Sequence, residues 1–514
     1  MKRFFFFWGA AIVLFYFCYS SFIIIPFAHN DNIYTFHKFR SVHPQTHSLQ
    51  YDDVMKGGRP VSAWIEQWKF LQVYNVADYS FLRAFLLVFT AAVLALLACF
   101  LCRYGYPAMI AWCLSAVMFT LPGIIDPLLM CMPHIILAIA WSLAAYLVLE
   151  TSWPRAVRWP VAAALVTLGL MTYQANICFF FLLTGVHLFS LESTRKRWKA
   201  LGRSVLLFTA GAIAYLGIVH FFIMPLYPPV KVAGGGYSVV ISWVTIVPKV
   251  CTLFAKVLPV IFDPAPFFTF KAFGYCLFSF VLATYLFVLA TIKEKKAVLS
   301  SGAMGGFLFL AASAAWLLSS FVFTICPRVF LPASGLAVLG IFWAVSFWMD
   351  RLKCPANALA GVAVTLLLLG ASHANYLAIN NAWNYNMELN FVRAKLAEYP
   401  QGSVKRIHVV ESQGNSGGYD GLEQLGDNLN AKTVQYSFTI PYLVEMALVG
   451  VWDDTTPLFT CEAPQPICVA VTPPGQILLS TSRPGAEVYR SEGMVYIDMN
   501  DLPRISSRLH CVRH

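Results

Sequence analysis

The sequence predicts an all-α polytopic membrane protein with about eleven transmembrane helices, followed by a small α/β carboxyl-terminal domain on the outer side of the membrane. Three observations predict it. Of 514 residues, 59% are hydrophobic and 12% are charged, more apolar surface than one soluble core hides, whereas several spans of about 20 residues each would consume it. Apolar runs recur throughout the first 378 residues. Lys and Arg lie in short clusters between those runs, so the formal charge of +11 reads as an orientation signal and argues against nucleic acid as a partner.

The runs cover approximately Phe4 to Phe27, Ser80 to Cys102, Pro107 to Leu121, Pro133 to Leu149, Pro160 to Met171, Asn176 to Phe189, Val205 to Met224, Phe273 to Ile292, Gly302 to Cys326, Phe330 to Trp348 and Ala356 to Ala378. The two beside Tyr173 are too short to cross unaided and are expected to be tilted, broken or joined within a cavity. With Lys2 and Arg3 inside, the alternate loops carry Arg103, then Arg155 and Arg158, then Arg195 to Arg203, then Lys293 to Lys296, then Arg351 and Lys353. Every cluster falls on the cytoplasmic side. The first run is long and lacks a small-x-small cleavage site, so it reads as an uncleaved anchor. An odd number of spans puts the carboxyl terminus outside.

Three pieces then face the outer compartment: a first loop over 28–79, a second over 225–271, and a tail over 379–514. In the second, Gly234-Gly235-Gly236 precedes an apolar, lysine-interrupted stretch from Val239 to Ile261 that suits an interfacial or re-entrant helix. The tail reads as a mixed domain, with helical spacing over Phe391 to Tyr399, strands near Arg406 to Glu411 and Met494 to Met499, and a turn-rich loop over Gly414 to Gly421. Cys461 and Cys468 bracket a Pro-containing loop in an oxidising compartment, which favours a disulfide over a metal site. Most other cysteines lie in apolar runs and read as small buried hydrophobes.

The polar stretch Ala28-His29-Asn30-Asp31-Asn32-Ile33-Tyr34 follows the first span directly. A carboxylate at that boundary can take a proton from a hydroxyl nucleophile, while nearby Arg and Lys can hold a lipid phosphate, which describes a glycosyl or phosphoryl transfer site. The bland alternative is that Asp31 caps a helix. His29, His37, His43 and His47 match no compact ligand motif, so no metal site is expected from them. Asp52 and Asp53 before Gly57-Gly58 read as a solvated turn, leading to an interfacial helix with Trp64 and Trp68. Farther on, Asp126, Tyr173, Gln174 and Asn176 sit within or beside apolar runs, where desolvation makes polar residues functional candidates. Arg328 lies at an outer end, as a headgroup anchor or as a contact for a sugar phosphate.

Asp31 after the first span, Gly58-Arg59-Pro60, the run Ile125-Asp126-Pro127-Leu128-Leu129-Met130 and Tyr173-Gln174-Ala175 together resemble the phage-type, serotype-converting O-antigen glucosyltransferases, the Gtr type II family. The likeness follows most of the membrane region in order and leaves out the tail. It implies a GT-C-like architecture on the outer face of a bacterial inner membrane. The donor would be a polyprenyl-phosphate-linked sugar, with a hexose, first of all glucose, passed to a lipid-linked or surface polysaccharide acceptor such as O-antigen. Asp31 would be the catalytic base of an inverting reaction. Asn32, Arg59, Asp126, Tyr173, Gln174 and Arg328 would bind substrate, Arg59 and Arg328 through phosphate. The family usually has adjacent acids after the first span, and here Asn32 replaces the second, which counts against a two-acid or metal-bridged scheme. No organic cofactor and no nucleotide-sugar fingerprint is expected, and the metal requirement is left open. A flippase or transporter of lipid-linked sugars and a polysaccharide polymerase are the competing readings.

Overall fold

In hydrocarbon a backbone must satisfy its own N–H and C=O groups, so each long apolar run is driven to coil. The computed structural model describes residues 1–27, 51, 54–55, 57–73, 76–227, 251, 255, 270–292, 295–317, 327–400, 403–410, 443–444, 447–448, 458–461, 467–472, 475–482 and 492–501. The first run forms α1 (Lys2–Tyr19) and a short α2 (Ser21–Ile24). The segment after Gly57-Gly58 forms α3 (Pro60–Gln72), with Trp64, Trp68 and Leu71 exposed on one face and Ser62, Ala63, Glu66 and Lys69 buried on the other. Then come α4 (Val76–Arg103), α5 (Ala108–Met118), α6 (Pro122–Leu129), α7 (Pro133–Leu149), α8 (Arg155–Thr172), α9 (Gln174–Ile177), α10 (Phe179–Ser190) and α11 (Thr194–Ile218), which ends in a π-helical turn, Val219–Ile223. The last four are α12 (Phe270–Thr291), α13 (Lys295–Leu317), α14 (Leu331–Arg351) and α15 (Ala356–Ala397).

Every apolar run therefore carries a helix, but fewer than eleven cross by length alone. Among the described residues six helices are long and apolar enough to span, and α5 with α6, bent by 58°, makes a seventh. The bend has a local cause. Leu121 precedes a proline and is extended (φ −69°, ψ 153°), which stops α5 short and lets Pro122 open α6. Shorter apolar helices are also present, including Pro133–Leu149. That helix puts Ile136, Ile139 and Leu143 into the main core with Leu94, Leu97, Leu114 and Phe180, so neighbouring helices cover much of it.

α15 departs most from expectation. Its 42 residues reach roughly 63 Å at 1.5 Å per residue, about twice the hydrocarbon thickness. No Gly or Pro stands between Gly370 and Pro400, so the helix runs on through the composition shift at 378. Its far end enters the tail domain, where Leu389, Val392 and Leu396 pack with Ile407, Val409, Leu479, Val495 and Ile497, and with Val76, Tyr79 and Leu82 of α4.

The tail strands are β1 (Arg406–Val410), β2 (Leu458–Cys461), β3 (Ile467–Thr472), β4 (Gly475–Ser482) and β5 (Met494–Asp498), in the order β2-β3-β4-β1-β5. β1 lies parallel to β4 and β5, while β3 runs antiparallel to β2 and β4. The period of two is clear on β1: Ile407 and Val409 face the core, and His408 meets Ser480 at 2.8 Å and Ser482 at 2.9 Å on the other face. Cys461 and Cys468 are register partners across β2 and β3. Asp31, Asn32 and nearly all of 225–271 lie outside the described residues, as does the turn-rich loop over Gly414 to Gly421.

Close helix packing supplies a test. A Cβ on Gly211 of α11 would stand 2.6 Å from Cγ1 and 2.8 Å from Cβ of Val166 and 3.1 Å from the Ala163 carbonyl, while one on Gly305 meets nothing within 4 Å. Val166 is branched at Cβ and cannot swing aside. Gly211→Ala is expected to destabilise the protein by about 1–3 kcal/mol and Gly305→Ala to be neutral or slightly stabilising, read as unfolding midpoints in detergent.

Candidate functional site

The short turn between α6 and α7 organises one end of the bundle. Cys131 takes φ 53°, unusual without glycine, and the chain turns back within three residues before Pro133 opens α7. The turn returns backbone N–H groups to Asp126 O, Pro127 O and Leu128 O and leaves the carbonyls of Leu129 and Cys131 to other donors. Cations from separate elements reach this end, where the helix dipole also favours positive charge. Arg83 of α4 donates through Nε to Leu129 O at 3.3 Å, and Lys69 of α3 donates to Cys131 O at 3.2 Å. Arg328, in the one-turn 3-10 helix Pro327–Val329, sits 2.9 Å from Asp126 Oδ2 and 3.0 Å from Met130 Sδ. Asp126 is fully buried, while Arg328 keeps 18% of its side chain exposed.

Beside this turn lies a second cluster. Glu66 pairs with Lys69 one helical turn on, and its Oε1 is 3.0 Å from His134 Nδ1 at the start of α7. The His134 ring lies 5.8 Å from that of Tyr173, and the Arg59 guanidinium stands over the same tyrosine at 5.7 Å. Ser62 donates to Thr172 O, at the end of α8. Gln174 donates to Gly57 O at 3.2 Å and to the Tyr215 hydroxyl at 2.9 Å, and that hydroxyl donates to Gly58 O at 3.1 Å. Gly58 has φ 70°, and a Cβ there would lie 2.6 Å from the Tyr215 oxygen, so only glycine suits both the backbone and the approach. Burial would push the Glu66 carboxyl up, but Lys69 and His134 outweigh it and hold the group down at about 2.

The structure thus brings the sequence candidates into two groups, Arg59 with Tyr173 and Gln174, and Asp126 with Arg328. Glu66, Lys69 and His134 bridge them. The first span ends close by: Arg83 Nη1 donates to Phe27 O at 2.9 Å, Asn386 of α15 donates to Pro26 O at 2.7 Å, and Tyr385 stacks on Phe27 at 6.0 Å. Asp31 is four residues farther along the chain. Sequence reasoning missed Glu66, Lys69, His134 and Arg83. A signal existed for two of them: Arg83 is an ionisable residue just inside an apolar run, and Glu66 lies on the face of α3 opposite Trp64 and Trp68. No group of three or more metal-ligating side chains occurs among the described residues.

Fold and site together define a multi-pass helical membrane protein with a polar assembly at one end and an α/β domain packed there. The sequence matches no family model and no curated protein. Among solved structures, the chain is similar to the crystal structure of the oligosaccharyltransferase of Archaeoglobus fulgidus in complex with zinc and sulfate, at 12% identity and a TM-score of 0.33. That match covers 79% of this chain and 60% of the other, so less than two thirds of the longer protein is represented.

The buried Glu66 cluster predicts a pH response. Because the folded carboxyl is held below its ordinary value of 4.5, the pairing contributes stability above that pH and loses it as pH falls toward 2. Glu66→Gln is expected to cost about 3 kcal/mol at pH 7, since it leaves Lys69 buried without its anion. The gap between variant and wild type in unfolding midpoint should close as pH is lowered through that window.

Proposed function

We propose that this chain is an integral membrane glycosyltransferase of GT-C type, moving a hexose, glucose in the first instance, from a polyprenyl-phosphate sugar to a hydroxyl of a lipid-linked or surface polysaccharide such as O-antigen. The reaction takes place on the outer face of a bacterial inner membrane. What supports this reading above all is that Arg59, Tyr173 and Gln174 gather at the same end of the bundle as Asp126 and Arg328, although up to 202 residues separate the partners. Phe27, which leads toward Asp31, is anchored at that end.

Asp31 accepts the proton of the acceptor hydroxyl as its oxygen bonds to the sugar C1. The C1–O bond to phosphate breaks on the opposite side, the electron pair leaves on the polyprenyl phosphate, and the anomeric configuration inverts. Charge grows on the phosphate as the bond breaks, so cationic groups aimed there act on the transition state. Arg328 serves this role with Asp126 as its orienting partner, since the buried carboxylate holds the guanidinium while part of it stays open to solvent. Arg59, laid over Tyr173, is the second phosphate contact, and Gln174 and Asn32 meet the sugars.

Asp31→Asn keeps the size of the side chain and removes the proton acceptor. Membranes carrying it are expected to insert the protein normally and to transfer sugar about a hundredfold more slowly or worse, whereas Asp53→Asn should do far less. The assay is formation of a new glycosidic bond from polyprenyl-phosphate sugar and acceptor. Label that crosses the bilayer without bond formation would instead mark a transporter, and full activity of Asp31→Asn would remove Asp31 as the base.

The outward placement of the tail and the bridge between Cys461 and Cys468 are parts of the same proposal. Directly paired residues of an antiparallel ladder have Cα atoms roughly 4.5–5.5 Å apart, a spacing that a disulfide spans. In intact cells a thiol-alkylating mass tag should label this pair only after reduction. Labelling without reductant would show free thiols and count against an oxidising location.

A further inference from the structure

Among the charged groups at this end of the bundle, Arg83 differs in how its charge is met. Lys69 is paired with Glu66, and Arg328 with Asp126. The Arg83 side chain is 1% exposed, and among the described residues the groups around it are neutral: Leu129 O on Nε, Phe27 O on Nη1, the Phe27 ring 3.8 Å below the guanidinium carbon and the Tyr79 ring at 5.6 Å. Its other arm, Nη2, is buried without a hydrogen-bond partner among them. A guanidinium stays charged in any protein setting, and a buried cation with no anion carries a desolvation penalty of several kcal/mol. Two carbonyls and a ring hold the plane of the group in place and leave one N–H edge unused.

We propose that the free arm of Arg83 binds the phosphate of a prenyl-phosphate lipid. This goes beyond the phosphate contacts assigned above, and it rests on that reading for the kind of donor but not for the chemistry. One feature favours a lipid-borne phosphate over a free one. The arm is closed to bulk water, so a hydrated inorganic ion would lose its shell with no apolar burial to offset the loss. Arg83 also grips both Phe27 O and Leu129 O. A phosphate on its third nitrogen would therefore be held between the end of the first span and the turn that carries Met130, the neighbour of Arg328.

The test uses the full chain in lipid nanodiscs with farnesyl phosphate as the probe, and farnesol and inorganic phosphate as controls. Wild type should be stabilised thermally by farnesyl phosphate and by neither control. Arg83→Met should bind the probe about thirtyfold or more weakly. Arg83→Lys, which keeps the charge but gathers its donors on one nitrogen and so cannot reach the separate positions of both carbonyls and an anion, should bind about tenfold more weakly, and it decides the matter if the methionine variant does not fold. Equal binding by wild type and the lysine variant, or equal response to farnesol, would overturn the site. Inorganic phosphate binding as tightly as the lipid would overturn the lipid assignment. If the site passes while no glycosidic bond is made in the transfer assay, the enzymatic reading fails and the phosphate site stands.

Discussion

The polar end of the helical bundle is built around a requirement of backbone chemistry. Helix α6 is only eight residues long and stops inside the fold; the turn after it satisfies three of its last carbonyls, but those of Leu129 and Cys131 must find donors in a place that water does not reach freely. Long cationic side chains answer that need from separate elements, Arg83 from α4 and Lys69 from α3. Each cation brings a further demand, since a buried charge has to be compensated. Lys69 recruits Glu66, and Glu66 in turn fixes His134. The polar network grows from a short helix end outward.

This arrangement ties the chain outside the long spans to the bundle. Helix α3 belongs to no span, yet its Ser62, Glu66 and Lys69 bond to the ends of α8 and α7 and to the turn before α7. The glycine pair ahead of it is gripped by Gln174 and Tyr215. Arg59 is consequently held at both ends of its local segment, where a lone surface arginine would sample many rotamers. The buried ion pairs add little net stability by themselves. Their effect is on position.

The tail domain follows a different logic. Its sheet packs on the projecting end of α15 and the first turns of α4 through apolar contacts, with Leu389, Val392, Tyr79 and Leu82 meeting the inner face of the strands. Because α15 is continuous from the bundle into that core, the domain is carried on a stiff rod. Asn386 on the same helix holds Pro26 O, so the rod also touches the end of the first span.

Hydropathy is a property of short stretches, and what depends on it was legible in the sequence: the helical membrane region, the amphipathic α3 with its outward tryptophans, the strands at Arg406 and Met494, and the short, broken helices around Tyr173. Candidate polar residues were legible one at a time, because a charge inside an apolar run stands out locally. Their partners were not. Asp126 meets Arg328 across 202 positions, Gln174 meets Gly57 across 117, and Arg83 meets Phe27 across 56. Such pairings leave no period or motif in the chain, since they arise only when helices pack and buried charges must be matched. The continuity of α15 went unread as well, because the composition shift at 378 marked an end to the span although no Gly or Pro stands between Gly370 and Pro400, and its role in the core of the tail domain was decided by tertiary packing.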